Sequence, residues 1–492
     1  MKATSLVHKN AQLTTQTFFF DFEGTLLRST SLFPYFMLVA FEAGGLLRSL
    51  ILFLSYPLVW LLGEDQLGLY IMVFLCFFGI KKDTFRIGSA VLPKFFLEDV
   101  WWEGFGAGLC HEKRVVSTKL PRVMVEGFLR DYLGVEEVVA RELKSLNGYF
   151  LGLFEEKKGN SITSLSQEDF VCTKDSTFEY IHDQELSPFF KEGYLMLNSD
   201  ERRNWHAVPR EKYPKKLIFH DGRMAFRPTP ASSLAMFLWL PLGLFLSLFR
   251  ITFGILLPFN VSAPFLAFSG TRTTASRTPR NASREMPNEE ENKKGILYVC
   301  NHRTLLDPLY ISYVLDKPLS AVTYSLSRLN ELVSPIKTIR LTRDRERDKE
   351  TMETLLSQGN LVVCPEGTTC REPYLLRFSP LFAEITDDIV PVALDVKVSM
   401  FYGTTASGHK YLDPFFHLMN PNPSYFVKIL ERLPKTETCH GGGKSRIDVA
   451  NFVQNEIGKA LGFTCTSFTR KDKYMILAGN DGVNQKQREF SK

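Results

Sequence analysis

Hydrophobic residues in this chain form short runs that each lead directly into a polar turn. Such runs cover residues 17–20, 296–300, 361–363 and 389–394, and their length and Val, Ile and Phe content predict buried β-strands. Apolar positions at helical spacing predict amphipathic helices over residues 121–143 and 347–358. Strands that alternate with helices indicate an α/β protein, in which ligands bind at the carboxyl ends of the strands.

Two longer apolar runs in the first hundred residues predict contact with a membrane. Residues 45–63 contain one charge, Arg48, and residues 67–80 contain none before two lysines follow. Together they suggest a hairpin that dips into a bilayer, or one crossing followed by an interfacial piece. A helical cap that packs on the N-terminal domain is the alternative.

The strongest membrane signal lies in the middle of the chain. Residues 231–249 are uncharged, Arg250 interrupts the run, and residues 251–259 are again apolar. Pro241 and Pro258 leave open whether the segment is a bent or re-entrant hairpin or a clean crossing. Arginines that flank the run favour a cytosolic position for the domain that follows.

These patterns divide the chain into five parts. They are a flexible N-terminus 1–16, a domain 17–230 with a hydrophobic insertion 32–80, a membrane-associated hairpin 231–262, a second α/β domain 263–475 with an exposed loop 271–294, and a tail 476–492. The basic and aromatic stretch 468–474 is predicted to be a surface patch.

Composition excludes some classes of partner. A net charge of +5 fits anionic substrates and a lipid surface and does not suggest nucleic acid. The eight cysteines have no C-x-x-C spacing, so we expect reduced thiols and no metal site. The first 15 residues contain no apolar run, so no cleavable secretory signal is expected.

The turn after residues 296–300 carries a histidine and a carboxylate five positions apart. On a straight helix His302 and Asp307 would lie about 140° apart, on different faces. They can meet only if His302 lies in the turn and Asp307 in the first helical turn, with Asn301 as the expected helix cap. A carboxylate would then orient the imidazole, whose free nitrogen takes a proton from an alcohol. The alternative is that His302 caps a helix and that Asp307 is an unrelated charge in the first helical turn.

A second polar turn follows residues 361–363. Residues 365–368 read Pro-Glu-Gly-Thr, and Gly367 permits close approach of the backbone to a ligand. Between the two turns, Arg340, Arg343 and Arg345 offer guanidinium groups suited to a phosphate.

In order along the chain, these pieces resemble the four sequence blocks of the glycerolipid acyltransferases. The blocks are an N-H-x-x-x-x-D motif, a block that ends in arginine, P-E-G-T, and a V-P-V-A strand, here within residues 389–394. Lys337 and Arg340 replace a small residue and an aromatic that usually precede the arginine. The whole chain is similar to the land-plant glycerol-3-phosphate acyltransferases, which join a phosphatase-like half to the acyltransferase domain.

This resemblance implies transfer of an acyl group from acyl-CoA to glycerol 3-phosphate, with sn-2 preference and no required cofactor. His302 would be the base and Asp307 its orienting partner. The acceptor would be bound by Arg343, Arg340, Glu366, Gly367 and Thr368. The family also implies an endoplasmic reticulum membrane, with a mitochondrial membrane as the less favoured alternative, and a role in cutin or suberin synthesis.

The N-terminal strand leads into Asp21-Phe22-Glu23-Gly24-Thr25, which resembles the D-x-D-x-T motif of the haloacid dehalogenase phosphatases. In that motif the first aspartate attacks phosphorus, the second protonates the leaving oxygen, and magnesium balances the charge. Glu23 replaces the second aspartate, and the family's G-D-x-x-x-D metal motif is missing from the sequence. We therefore expect a retained fold without phosphatase activity or functional magnesium binding.

Three alternatives remain at this point. A bifunctional acyltransferase–phosphatase would release monoacylglycerol, and an enzyme with a larger acceptor pocket would acylate a lysophospholipid. A membrane scaffold without catalysis belongs to a different class of protein.

Overall fold

The chain folds into two α/β units. The computed structural model describes residues 14–102, 111–156, 170–172, 190–193, 205–277, 295–324, 331 and 334–481. One unit comprises Met1–His220 and Arg227–Ala235, and the other comprises Asp221–Phe226 and Met236–Lys492.

The first unit is built on a parallel sheet. Its described strands are β1 Thr14–Asp21, β2 His111–Ser117, β3 Glu137–Val139, β4 Leu143–Leu146, β5 Tyr149–Phe154, β6 Phe170–Cys172 and β7 Phe190–Gly193. Five of them pair in parallel in the order β3-β2-β1-β6-β7, and β4 and β5 form an antiparallel pair. Because β1 is the central strand, its carboxyl end places Asp21 at the middle of the sheet edge.

The described helices of this unit are α1 Phe33–Leu54, α2 Tyr56–Leu61, α3 Gly68–Phe77, α4 Ile87–Ala90, α5 Leu92–Asp99 and α6 Arg122–Leu133. The helix predicted over 121–143 is therefore too long. Gly134, at φ +61°, ends α6, and the chain continues as β3 and β4.

Helix α1 changes character at Gly45, where φ is +76° and the helix kinks. Before the kink, residues 33–41 are buried within the unit. After it, large apolar side chains are exposed through α2 and α3, among them Leu47, Trp60 and Leu61. Arg48 donates to the carbonyls of Cys76 and Phe78, both at 2.8 Å. The insertion is thus a buried anchor followed by an exposed apolar helical hairpin.

The apolar run in the middle of the chain forms one helix, α7 Pro230–Leu256, which continues through Pro241 and Arg250. Pro258 precedes the shorter helix α8 Phe259–Phe268. Of the described helices, α1 and α7 are long and apolar enough to cross a membrane by length and composition.

The second unit contains a mixed sheet. Its strands are β8 Arg272–Arg277, β9 Leu297–Cys300, β10 Leu319–Thr323, β11 Lys337–Arg340, β12 Asn360–Val363, β13 Tyr374–Leu375, β14 Ile389–Lys397, β15 Ser424–Ile429 and β16 Thr464–Cys465. Seven of these described strands pair in the order β11-β10-β12-β9-β14-β15-β8, and only the β14–β15 pair is antiparallel. The remaining two, β13 and β16, form a small parallel pair.

Helices cover both faces of this sheet. They are α9 Asp307–Leu315, α10 Arg345–Gln358, α11 Asp413–Leu418, α12 Cys439–Gly442, α13 Arg446–Leu461 and α14 Arg470–Ala478. Along β9, Leu297 and Val299 pack toward the core that contains α10 and α13, whereas Tyr298 and Cys300 pack toward α9. Burial on both faces explains why these strands are continuously hydrophobic.

Several predicted boundaries differ from the structure. The predicted N-terminal segment 1–16 overlaps β1, and the tail predicted from 476 begins inside α14; residues 1–13 and 482–492 lie outside the described residues. The predicted loop 271–294 begins with β8, which pairs with β15, and residues 278–294 lie outside the described residues. The predicted helix cap is also different: Leu306 precedes α9, and the Asn301 side chain instead exchanges hydrogen bonds with the backbone of Leu394.

Candidate active site

Two neighbouring parallel strands bring the two polar turns together. The register pairs Val299 of β9 with Val363 of β12, so the residues that follow each strand leave the sheet side by side. His302 lies in the turn after β9, and Asp307 is the first residue of α9. His302 Nδ1 lies 2.9 Å from Asp307 Oδ2. The structure therefore brings these two residues together in the way that their spacing requires.

The carboxylate of Asp307 is fully buried and held by its own turn. It accepts hydrogen bonds from Arg303 N at 2.5 Å, from Thr304 N at 3.0 Å and from Thr304 Oγ1 at 3.0 Å. The Thr304 hydroxyl also hydrogen-bonds to Tyr425 on β15. The Asp307 carboxylate can still accept a hydrogen bond from the His302 imidazole, so the fold fixes the orientation of the ring.

Burial lowers the pKa of the His302 imidazole, but the neighbouring Cys364 sulfur and the Asp307 carboxylate outweigh burial and raise the pKa well above 6.5. Cys364 follows β12, next to His302, and its Sγ lies 3.4 Å from Cys300 Sγ. Cys300 and Cys364 are both free thiols, and the pair lies beside the histidine.

Glu366 joins the two turns. Its Oε1 accepts a hydrogen bond from His302 N at 2.8 Å, and its Oε2 accepts one from Leu376 N at 3.0 Å. Burial raises the pKa of Glu366 to about 7, and these two backbone donors oppose the rise. Cys370 N donates to His302 O at 2.9 Å, so the His302 backbone is held at its amide by Glu366 and at its carbonyl by Cys370, two residues after Thr368.

Gly367 and Thr368 form the turn itself. Gly367 has φ +65°, a conformation that favours glycine, and a Cβ at this position would meet no atom within 4 Å. The backbone therefore faces open space in a cavity that also contains His302. Thr368 Oγ1 lies 3.3 Å from the Nζ of the buried Lys473.

The three candidate arginines differ in their partners. Arg340 binds Glu331 through Nε and Nη2 at 3.0 and 2.8 Å, and Arg345 binds Glu384 at 2.7 Å. Arg343 has φ +73° in a turn that Asp348 holds by accepting from its backbone N at 3.0 Å. Among the charged groups near the Arg343 guanidinium, Arg470 lowers its pKa and the Asp481 carboxylate raises it.

One cavity of about 2570 Å³ in the second unit is lined by several of these residues, namely His302, Cys364, Glu366, Gly367, Thr368 and the three arginines. Its polar wall includes His302, Arg343 and Thr368, and Arg340 and Arg345 also reach it. Apolar residues also line the cavity, among them Ile251 and Ile255 of α7, Leu266 of α8 and Leu309 of α9. A ligand with a polar group and a long hydrocarbon chain would match this combination of polar and apolar lining residues.

Comparisons with known proteins agree with this architecture. Residues 17–195 match a family model described as "Glycerol-3-phosphate acyltransferase RAM2-like, HAD-like domain", and residues 277–395 match one described as "Acyltransferase". The chain is 52% identical to the Arabidopsis thaliana protein named probable glycerol-3-phosphate acyltransferase 2, over 98% of this chain and 92% of that protein. The chain belongs to the plant glycerol-3-phosphate acyltransferase family.

Other members of the family are also similar over most of their length. Glycerol-3-phosphate acyltransferase 1 of Arabidopsis thaliana is 47% identical over 95% of this chain and 82% of that protein. Glycerol-3-phosphate acyltransferase RAM2 of Petunia hybrida is 43% identical over 94% of this chain and 97% of that protein.

The residues of the phosphatase-like motif also lie together, at the carboxyl end of β1. Asp21 Oδ2 accepts from Gly24 N at 2.9 Å. Glu23 Oε1 accepts from the Thr118 hydroxyl and from the backbone amides of Lys119 and Leu120, at 3.1 and 3.2 Å. Burial, with the neighbouring Asp21, raises the pKa of Glu23 to about 8. The Glu23 carboxyl is thus bound to the turn that follows β2.

One residue of this site escaped sequence reasoning. Lys473 lies in the stretch predicted to be a surface patch, but its side chain is buried and contacts the Pro-Glu-Gly-Thr turn. A lysine within an amphipathic helix carries no local signal for such a contact, because the partner lies 104 residues earlier in the chain.

Proposed function

We propose that this protein transfers an acyl group from acyl-CoA to a hydroxyl of glycerol 3-phosphate and forms lysophosphatidic acid. The observation that carries the proposal is the 2.9 Å contact between His302 Nδ1 and Asp307 Oδ2, with His302 on the lining of a cavity that contains both polar and apolar residues. Membership of the family supports the same substrates.

In the proposed reaction, the protonated Nδ1 of His302 donates to Asp307, which leaves Nε2 with a lone pair. Nε2 takes the proton of the acceptor hydroxyl as its oxygen attacks the thioester carbonyl. The carbon–sulfur bond then breaks, and the coenzyme A thiolate leaves and can accept that proton from the imidazolium. The transfer is direct, without a covalent acyl-enzyme, and it requires no cofactor.

We assign the phosphate of the acceptor chiefly to Arg343. The pairing of Arg340 with Glu331 and of Arg345 with Glu384 supports this choice, because both of those guanidinium groups already have carboxylate partners. Gly367 and Thr368 form the adjacent wall, and Glu366 acts by holding the backbone of His302. The apolar residues of α7 and α8 that line the cavity take the acyl chain.

We further propose that the N-terminal unit has no phosphatase activity and no functional magnesium site. Glu23 in place of aspartate and the missing G-D-x-x-x-D motif support this, as does the engagement of the Glu23 carboxyl by Thr118, Lys119 and Leu120. The product is then lysophosphatidic acid and not monoacylglycerol.

The remaining features of the proposal follow family resemblance. They are sn-2 preference, an endoplasmic reticulum membrane with the catalytic unit facing the cytosol, and a role in extracellular lipid polyesters. Helices α1 and α7 support membrane association by their length and composition.

The test is a product analysis. Microsomes that contain the protein receive labelled glycerol 3-phosphate and an acyl-CoA, and lipids are separated by head group and acyl position. We expect labelled lysophosphatidic acid that disappears with His302→Ala. The control variant His440→Ala changes an exposed histidine of the same unit and should leave the product intact.

Other outcomes would contradict parts of the proposal. Monoacylglycerol that falls with Asp21→Ala would mean that the phosphatase-like unit is active. A lipid output unaffected by His302→Ala, from a folded protein, would favour the scaffold.

A further inference from the structure

Helix α14 lies against the proposed acceptor site, although its sequence had suggested a surface patch. Its N-terminus is fixed by a capping box, in which Thr469 Oγ1 and Asp472 exchange hydrogen bonds with each other's backbone amides. Thr469, Arg470 and Tyr474 line the same cavity as His302 and Arg343. One end of this short helix is therefore part of the cavity wall.

Lys473 ties α14 to the Pro-Glu-Gly-Thr segment. Its Nζ donates to Thr369 O at 2.6 Å, to Thr369 Oγ1 at 3.2 Å and to Thr368 Oγ1 at 3.3 Å. A buried ammonium is costly unless its protons are bound, and here all three can be. Because Thr368 Oγ1 accepts from Lys473, the hydroxyl proton of Thr368 remains available to donate to a ligand oxygen.

Arg470 places a second guanidinium on the lining of the cavity that Arg343 also lines. Burial and then the charge of Arg470 lower the pKa of Arg343, as expected for like charges held close together. The Arg470 guanidinium also lies 4.7 Å from the centre of the Tyr474 ring, and Lys410 Nζ donates to the Tyr474 hydroxyl at 2.6 Å. Arg343, Arg470 and Lys410 thus line the same cavity, with the Asp481 carboxylate as a counter-charge near Arg343. An anion with two negative charges would stabilise this excess of cations.

We propose that α14 completes the acceptor site: Arg470 shares the phosphate of the acceptor with Arg343, and Lys473 is a positioning residue that holds the Thr368 hydroxyl toward it. The ligand class is a phosphate monoester dianion. This inference rests on the proposed function and adds residues that lie outside the matched acyltransferase region 277–395.

The experiment compares the steady-state kinetics of Arg470→Ala, Lys471→Ala and Lys473→Met with those of the wild type, each as the full-length protein in vesicles. Arg470→Ala is expected to raise KM for glycerol 3-phosphate by about tenfold or more, because a charge-assisted hydrogen bond to phosphate is lost. KM for acyl-CoA and kcat should change little. Lys471→Ala is the matched control, since Lys471 is the next residue of the same helix turn and is exposed.

Lys473→Met keeps the side-chain length but removes the three donors. We expect it to raise KM for glycerol 3-phosphate more than it lowers kcat, a division that a general loss of stability would not produce. If Arg470→Ala does not fold, Arg470→Lys keeps the charge, loses the forked donor and should give a smaller rise in the same KM.

Two results would overturn the inference. One is an unchanged KM for glycerol 3-phosphate in both folded variants. The other is a rise confined to KM for acyl-CoA, which would assign Arg470 to the phosphates of coenzyme A. A wild-type protein that forms no lysophosphatidic acid would instead refute the proposed function itself, so the two failures are distinguishable.

Discussion

At the residue scale, the proposed chemistry depends on how completely Asp307 is engaged. Its two oxygens accept from three groups of residues 303 and 304 as well as from the His302 ring. An amide in its place would offer a donor to groups that are themselves donors. We therefore expect the substitution of Asp307 by asparagine to disturb the site, although it preserves the shape of the side chain.

Asp307→Asn is expected to lower kcat by about 10²- to 10⁴-fold, the range that general acid–base catalysis contributes, because the His302 base loses the carboxylate that orients it. The substitution preserves volume but sets an amide donor against buried donors, so kcat is compared at a temperature where circular dichroism shows that the variant is folded. The control is Asp316→Asn at the other end of α9, an exposed residue at φ +51° where asparagine is well tolerated. Equal loss in both variants would contradict a specific role for Asp307.

The same variant tests the pKa of the base. His302 must be neutral to accept a proton, and its pKa is raised above 6.5, so activity should fall as pH falls through a value above 6.5. Asp307 contributes to that rise, and its removal should lower the pKa. The acidic limb of the kcat/KM profile should therefore shift to lower pH in Asp307→Asn, and a shift to higher pH would refute this account.

At the scale of elements, the exposed hairpin after Gly45 is the feature that matters most. Leu47, Trp60 and Leu61 have exposed fractions of 71%, 69% and 74%. The charge of Arg48 is neutralised in part by two carbonyls of the opposite arm. Because the first half of α1 is buried in its own unit, the exposed half is too short to cross a bilayer and is suited to shallow insertion.

The double variant Leu47→Ser and Leu61→Ser should weaken binding of the protein to lipid vesicles by more than about tenfold, since burial of each leucine contributes roughly 1.5–3 kcal/mol. Leu146→Ser with Leu153→Ser is the matched control, on exposed leucines of β4 and β5. Flotation on a density gradient measures both. Unchanged binding of the hairpin variant would show that other elements carry the membrane contact.

Local patterns predicted the elements that hold the site, and long-range contacts determined the rest. The strands that end near His302 and Glu366 were predictable because burial on both faces gives continuous apolar runs. The end of α6 at Gly134 was missed because apolar spacing continued past it into β3. The pairing of Arg340 with Glu331 and the contact of Lys473 with Thr369 join separate parts of the chain, and one sequence carries no signal for either.

At the scale of the whole molecule, the acyltransferase unit extends beyond the matched region 277–395. Residues 221–226 belong to it, and Asp221 is buried there, where it accepts from Thr405 Oγ1, Ala406 N and Ser407. Its Oδ1 also lies 3.7 Å from Arg371, three residues after Thr368. Burial raises the pKa of Asp221, but Arg371 and these hydrogen bonds outweigh it and lower the pKa to about 2.

Asp221→Ala should destabilise this unit by about 3–5 kcal/mol at neutral pH, as expected when one partner of a buried ion pair is removed. The lowered pKa means that the stabilisation is present above the unfolded value near 3.8 and is lost as pH falls toward 2. The difference from wild type in thermal unfolding should thus shrink in acid. Asp131→Ala, at an exposed ion pair, should change stability little.

The two hydrogen bonds that hold the His302 backbone have a consequence for protein engineering. Glu366 accepts from the His302 amide and Cys370 donates to the His302 carbonyl. The turn that carries the base and the turn that contacts the acceptor are therefore held together as one rigid unit. A chimera that takes residues 300–307 from one relative and 364–376 from another would combine two turns that come from different proteins and do not have to fit each other. Exchange of specificity between relatives should therefore succeed only when both segments are transplanted together.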